Sequence, residues 1–225
     1  MKLVSSSKDI VFVDHLDERF GKVNFIFISR HRAESGVPSL TAHFTGNFGP
    51  ASFGGRPGEI SHYEPSLLKN YFIALNSLKE KVAERFQLTL EATHHGPTSL
   101  SSPVLFAELG STEEQWADTQ AAEIVAEALV RGVSNKRTYR RCALAIGGTH
   151  YPDKFNRMLA ETEIALGPII PKYSLEFFNA EILGQALKKS TEPITIAVVD
   201  AKGLGRFKEA VFSVLNGSSL EIIKA

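Results

Sequence analysis

The segment EATHHGP, residues 91–97, sets a carboxylate and two adjacent imidazoles at the end of an alternating apolar run and closes it with Gly-Pro. GGTHYP, residues 147–152, repeats the arrangement: an apolar run, Thr-His, then a proline. Imidazole with carboxylate support suits two kinds of chemistry. One is zinc binding, in which a hydrolytic site uses about three protein ligands and an open position for water. The other is general acid–base catalysis, because an unperturbed imidazole titrates near neutrality. A lone histidine at a strand end is ordinarily a boundary residue. Two copies of strand, Thr-His and proline, with Glu91 beside one of them, point instead to a site. His94, His95 and His150 are therefore the candidate metal ligands or water activators, with Glu91 orienting a histidine or acting as base. Strand alternation would put Glu91, Thr93 and His95 on one face and His94 on the other. Past a strand end that alternation need not hold, so spacing alone does not decide which imidazole points inward.

Two further constellations accompany the histidines. GNFGPASFGGRPG, residues 46–58, follows His43 and matches no nucleotide-binding fingerprint. Gly46, Gly54 and Gly55 can bring backbone N–H groups close to a phosphate or an ester oxyanion, Asn47 can add a hydrogen bond, and Arg56 adds a fixed charge. The alternative is a long turn with glycines at positive φ. RGVSNKRTYRR holds Arg131, Lys136, Arg137, Arg140 and Arg141 with no acid. It reads either as a phosphate-contacting patch or as cations at a helix C-terminus.

The elements that must position these residues follow from periodicity and breakers. Strands are expected over 10–13, 23–29, 39–46, 87–93, 142–148, 161–166, 194–200 and 220–223. Helices are expected over 65–86, 111–130, 175–189 and 205–215. Strands alternate with helices in the second half, which favours a layered α/β fold with a mixed, mainly parallel sheet. Six of the seven histidines lie in or just beyond expected strands. In open α/β sheets ligands bind beyond the carboxyl ends of the strands, so parallel strands would bring several of these histidines together.

Composition bounds the reading. A chain of 225 residues, 43% hydrophobic and 22% charged, suits one sizeable α/β domain. A formal net charge of zero argues against a broadly basic nucleic-acid-binding surface, though not against a local patch. Cys142 is the sole cysteine, so no intramolecular disulfide forms and a cytoplasmic setting is expected. The first residues have no apolar core of the signal-peptide kind, and no window is apolar for long enough to cross a membrane. A monomer is expected.

Taken as a set, DHLDE (14–18), SRH (29–31), HFTGNFGPASFGG (43–55), EATHHGP (91–97), ELGSTEEQW (108–116), AAEIVAEA (121–128), GGTHYP (147–152) and KYSLE (172–176) resemble the archaeal and plant type of D-aminoacyl-tRNA deacylase. The resemblance covers most of the chain. It implies a three-layer α/β/α fold of the phosphorylase/hydrolase-like group, similar to peptidyl-tRNA hydrolases. It implies hydrolysis of the ester between a D-amino acid and the tRNA 3′ end, and a zinc requirement. On that reading the histidines and Glu91 do the chemistry, and His43, Gly46, Asn47, Gly54, Gly55 and Arg56 receive the tRNA 3′ end. Arg131, Lys136, Arg137, Arg140 and Arg141 then hold phosphates. One departure stands out. In the family a long stretch separates the first strand from the Asp-His-x-Asp-Glu segment, whereas here that segment arrives at Asp14. The N-terminal region is therefore expected to be shortened, or to lack a segment near residues 4 and 5. The competing reading of the residues is a zinc-dependent hydrolase of a small amide or peptide, for which the basic stretch would be idle.

Overall fold

The computed structural model of the protein describes residues 1–82 and 84–225. A 3-10 turn, Ile10–Phe12, precedes a short helix α1, Leu16–Phe20. The expected strand at 10–13 does not form, because Asp9 accepts a hydrogen bond from the Val11 N–H and closes a local turn instead. Strands β1 (Phe25–Arg32) and β2 (Ser39–His43) follow, then a two-residue ribbon of β3 (Gly46–Asn47) with β4 (Glu59–Ile60). Helix α2, Pro65–Ser77, starts on a proline at its first turn and ends well short of the expected Phe86, giving way to a 3-10 turn at Lys79–Lys81. Strands β5 (Gln87–Leu90) and β6 (Val104–Ser111) lead to α3 (Glu113–Trp116) and α4 (Thr119–Ser134). The sequence reading merges α3 and α4; the Asp118 side chain accepts from Ala121 N and starts a separate helix there. The second half runs β7 (Arg141–Ile146), α5 (Asp153–Glu161), β8 (Ile164–Ile170), α6 (Ala180–Lys188), β9 (Ile194–Val199), α7 (Lys208–Asn216) and β10 (Glu221–Lys224). The helix expected from 175 begins five residues later, where Asn179 caps α6 by accepting from Glu181 N and Ile182 N.

The fold is mixed α/β with mainly parallel pairing, as expected. One sheet has the order β1-β6-β2-β5, with β1 parallel to β6, β6 antiparallel to β2, and β2 parallel to β5. The other, β10-β9-β7-β8, is parallel throughout. Strands β7, β8 and β9 are nearly all apolar and buried, as strands covered on both faces must be. The two sheets meet just beyond β5, where Thr93 N donates to Ile169 O and Ile169 N donates to Thr93 Oγ1. That seam carries EATHHGP. A continuous hydrophobic cluster runs through both sheets and their helices. On it α2 and α4 approach closely: a Cβ at Gly132 would lie 2.7 Å from the Tyr71 Cα.

β6 is the largest omission in the sequence reading. It is wholly buried between β1 and β2. Glu108 and Gly110 break its apolar pattern, and the capping signal at Ser111–Thr112 draws attention away from it. Helix α5 is also missed. Among the described residues no helix is long and apolar enough to cross a membrane.

Lys69 of α2 is fully buried and gathers the end of α5 onto β8. Its Nζ donates to the carbonyls of Leu159 (2.8 Å), Thr162 (2.5 Å) and Ile164 (2.9 Å). Lys69→Met keeps the length of the chain but leaves these acceptors without a donor. It should destabilise the protein by on the order of 3 kcal/mol in urea unfolding at unchanged m. A loss under about 0.5 kcal/mol would mean that water replaces the ammonium.

Candidate active site

One face of the first sheet supplies half of the site. In register, His43 lies opposite Phe106, Thr41 opposite Glu108, and His31 opposite Gly110. Side chains two apart on a strand share a face, so His31, Glu108, Phe106 and His43 stand together. Phe106 stacks on His43 at a centroid distance of 5.3 Å. Glu91 N donates to Ala42 O, which extends the parallel β2–β5 pairing and brings Glu91 alongside His43.

Beyond Leu90 the chain leaves strand geometry. Ala92 N donates to His150 O, and His95 takes a left-handed conformation with φ of 46°. This turn breaks the alternation that would have separated the two histidines. His94 packs on His43 at 4.3 Å and His95 lies 4.9 Å from it, so both imidazoles enter the cluster. The glycine loop fixes the turn from outside. Gly46 N donates to His95 O, Gly96 N donates to Phe53 O, and a Cβ at Gly96 would lie 2.3 Å from Gly55 N. The loop after Pro97 is pinned by carboxylates: Asp14 Oδ1 accepts from Thr98 N and Ser99 N, and Asp17 Oδ2 from Ser101 N. This is the structural work of the DHLDE segment.

The imidazoles fall into two electrostatic classes. His43, His94 and His95 each place Nδ1 against a backbone carbonyl, of Phe44 (3.1 Å), Ala92 (2.8 Å) and Gly96 (2.6 Å) respectively. A carbonyl only accepts, so Nδ1 carries the proton and Nε2 keeps its lone pair. Burial is the leading cause that lowers all three pKa values, His95 to about 3, so these rings are neutral at pH 7. His43 Nε2 is buried with no hydrogen-bond partner among the described residues. Ligand atoms of His43, His94 and His95 lie within 4.8 Å of one another. Three neutral imidazoles with ligand atoms this close, each ring held by a hydrogen bond to a backbone carbonyl, have the donor chemistry of a zinc-type site. Glu91, His94 and His150 form a second such group, and His31, Glu91 and Glu108 a third.

His31 belongs to the other class. Burial opposes its charge, but the hydrogen bond to Glu108 and the charges of Glu91 and Glu108 raise its pKa. Its Nδ1 lies 3.3 Å from Glu108 Oε2 and 3.2 Å from Glu91 Oε1, and its Nε2 lies 2.8 Å from Tyr151 Oη. Burial raises Glu108. Burial works in the same direction on Glu91, but the His150 hydrogen bond and the surrounding histidines hold it well below the carboxylate range. Its Oε2 lies 2.9 Å from His150 Nε2. Since an ionised carboxylate only accepts, His150 carries its proton on Nε2. Its Nδ1 then accepts from Tyr173 Oη at 2.9 Å. The group opens into a cleft of about 1780 Å3 lined by His31, Glu91, His94, His95, Glu108 and His150 among others.

A sequence model of the family "D-aminoacyl-tRNA deacylase" matches residues 21–223. The chain belongs to the D-aminoacyl-tRNA deacylase family. A D-aminoacyl-tRNA deacylase of Cenarchaeum symbiosum is 38% identical to it over 224 residues, covering 99% of this chain and 86% of the relative. One of Archaeoglobus fulgidus is 34% identical over 228 residues, covering 99% and 81%. A solved structure described as a conserved protein of unknown function superposes with a TM-score of 0.91 at 33% identity. It covers 97% of this chain and 78% of its own.

Within this deacylase-family chain the sequence-predicted residues separate into three groups. Glu91, His94, His95 and His150 come together with His43, which joins the imidazole group rather than lying apart with the glycine loop. Gly46, Asn47, Gly54 and Gly55 form the scaffold behind them. The Gly46 N–H is engaged by His95 O, and Asn47 Nδ2 donates to Gly54 O at 2.9 Å. Arg56 is exposed on the same loop. The basic stretch lies elsewhere. Arg141 opens β7 and His150 follows its far end, about 17 Å of strand away. Arg131, Arg137 and Arg141 pair with Glu127, Glu163 and Glu221. Lys136 Nζ donates to Val133 O, and Arg140 is exposed. The cations that line the cleft are Lys8, Arg30 and Arg32 instead, the guanidinium of Arg30 lying 5.0 Å from the Trp116 ring centroid. His31, Glu108, Tyr151 and Tyr173 escape the sequence reading as site residues. A glutamate inside the apolar run VLFAELG was the available signal, because a buried carboxylate needs a partner.

Proposed function

We propose that this chain hydrolyses the ester joining a D-amino acid to the 3′ end of tRNA, and so returns mischarged tRNA to use in the cytoplasm. The observation that carries the reading is that ligand atoms of the neutral imidazoles of His43, His94 and His95 lie within 4.8 Å of one another, beside the Glu91–His150 pair, in a member of this family. Those three imidazoles would hold Zn2+, and such an ion supplies Lewis-acid polarisation of an ester carbonyl. The remaining work falls to the protein's own groups. Glu91 is too weakly basic to be the proton acceptor. Its negative charge takes the His150 Nε2–H and fixes the tautomer whose Nδ1 is basic. In the structure Nδ1 accepts a hydrogen bond from the Tyr173 hydroxyl, so this nitrogen is already oriented toward an O–H donor. In catalysis a water O–H takes that place and His150 receives its proton. His31, whose pKa is raised by Glu108 and Glu91 against the effect of burial, favours the Glu91 anion from the opposite side.

The test is single-turnover hydrolysis of matched D- and L-aminoacyl-tRNA by apo-protein, zinc-loaded protein and chelator-treated protein. We expect loss of the D-ester alone, abolished by chelator and restored by zinc. Hydrolysis of the D-ester indifferent to chelator would retain the reaction and remove the metal from it. Failure of folded, zinc-loaded protein to hydrolyse either ester would end the deacylase reading.

A further inference from the structure

Phe53 is 71% exposed, yet its backbone is tied down. Its carbonyl accepts from Gly96 N at 2.9 Å. The next two residues, Gly54 and Gly55, sit at φ of 72° and 74°. A Cβ on Gly54 would lie 2.0 Å from Val11 O, and one on Gly55 2.6 Å from Thr98 Cγ2. The loop is thus held from both sides, and the Phe53 ring is left facing the cleft that His94, His95 and His150 line. A large ring on a loop held this way offers its face to whatever enters the cleft.

We propose that Phe53 is the stacking platform for the 3′-terminal base of the tRNA. This rests on the deacylase reading. The scissile ester is attached to the terminal ribose, so once the ester carbonyl reaches the histidines, the base on that same ribose must lie within one nucleoside's length of them. Phe53 is hydrogen-bonded through its carbonyl to the residue following His95, which puts its ring within that reach. The other aromatics of the cleft are engaged: Trp116 Nε1 donates to His31 O at 2.8 Å and Arg30 covers its ring, Phe106 is buried against His43, and Tyr151 Oη lies 2.8 Å from His31 Nε2. Single-stranded ends are bound by stacking on aromatic rings, which tolerates any base and leaves the hydrogen-bonding edges free. Lys8, in the same cleft and in no ion pair among the described residues, stands where the adjoining phosphates would pass.

The experiment uses full-length zinc-loaded protein, D-aminoacyl-tRNA, and an uncharged tRNA whose terminal adenine is replaced by 2-aminopurine, whose fluorescence is quenched on stacking. Wild-type protein should quench the probe. Phe53→Ala should abolish the quench and raise KM by about 5- to 150-fold, with kcat within about twofold of wild type. Phe53→Tyr should restore both. A Phe53→Ala variant with unchanged KM overturns the proposal, as does one with raised KM but an intact quench, since the base would then stack elsewhere. A quench absent from wild type overturns it as well. Wild-type protein that hydrolyses no D-aminoacyl-tRNA fails the deacylase reading itself, which these outcomes keep separate.

Discussion

Glu91→Gln should lower the single-turnover rate of D-aminoacyl-tRNA hydrolysis by about 10²–10⁴-fold while leaving tRNA affinity within a few-fold of wild type. The two side chains have nearly the same shape, so the change is electrical and tautomeric. Glu91 Oε2 accepts the His150 Nε2–H at 2.9 Å. A glutamine that presents its amide N–H₂ there would face a donor with a donor, and His150 would relieve the clash by moving its proton to Nδ1. The nitrogen meant to receive a proton from water would then carry one already. His31 loses one of its two carboxylates as well, keeping Glu108 at 3.3 Å. Removing one member of a buried ion pair costs about 3–5 kcal/mol, so the rate is to be read beside a far-UV spectrum and an unfolding curve. A folded Glu91→Gln variant within about threefold of the wild-type rate would remove Glu91 from the mechanism.

Such a prediction could not have been made from the sequence, although its principal residues were visible there. EATHHGP and GGTHYP advertise themselves because polar residues end apolar runs and glycine or proline stops them. That local signal marks Glu91, His94, His95 and His150 correctly as neighbours. What the sequence does not carry is register. His43 joins His94 and His95 because β2 pairs with both β5 and β6, and β6 went unread. The strand was missed because Glu108 interrupts its apolar run, and Glu108 is tolerated there only because His31, 77 residues away, meets it. The basic stretch 131–141 shows the converse, for it ends at the opposite end of β7 from His150. Charge density along a chain is local, but the pairing of Arg131, Arg137 and Arg141 with Glu127, Glu163 and Glu221 is set mostly by the fold. The failed strand at 10–13 and the merged helix at 111–130 are cases where an aspartate, Asp9 or Asp118, capped a turn that hydrophobic periodicity does not register.

His43→Leu should abolish zinc-dependent activity, and its stability should depend on zinc in the opposite way to that of an ordinary core mutation. In chelator the wild-type protein buries His43 Nε2 without a partner, a cost of about 1–3 kcal/mol. Leucine removes that cost and also removes the Nδ1–H that Phe44 O accepts, a loss of about 1 kcal/mol. The two nearly cancel, so the apo-proteins should unfold within about 1 kcal/mol of each other. With zinc at a hundred times its Kd, the wild type gains about 2.7 kcal/mol from binding to the folded state alone. The leucine variant retains two imidazoles of the group of three and should gain far less. The gap between the two proteins should therefore open with zinc and close with chelator. A gap of several kcal/mol that chelator does not change would make His43 a packing residue. Equal stabilisation of both by zinc would place the ion with Glu91, His94 and His150 instead, the neighbouring group that shares His94.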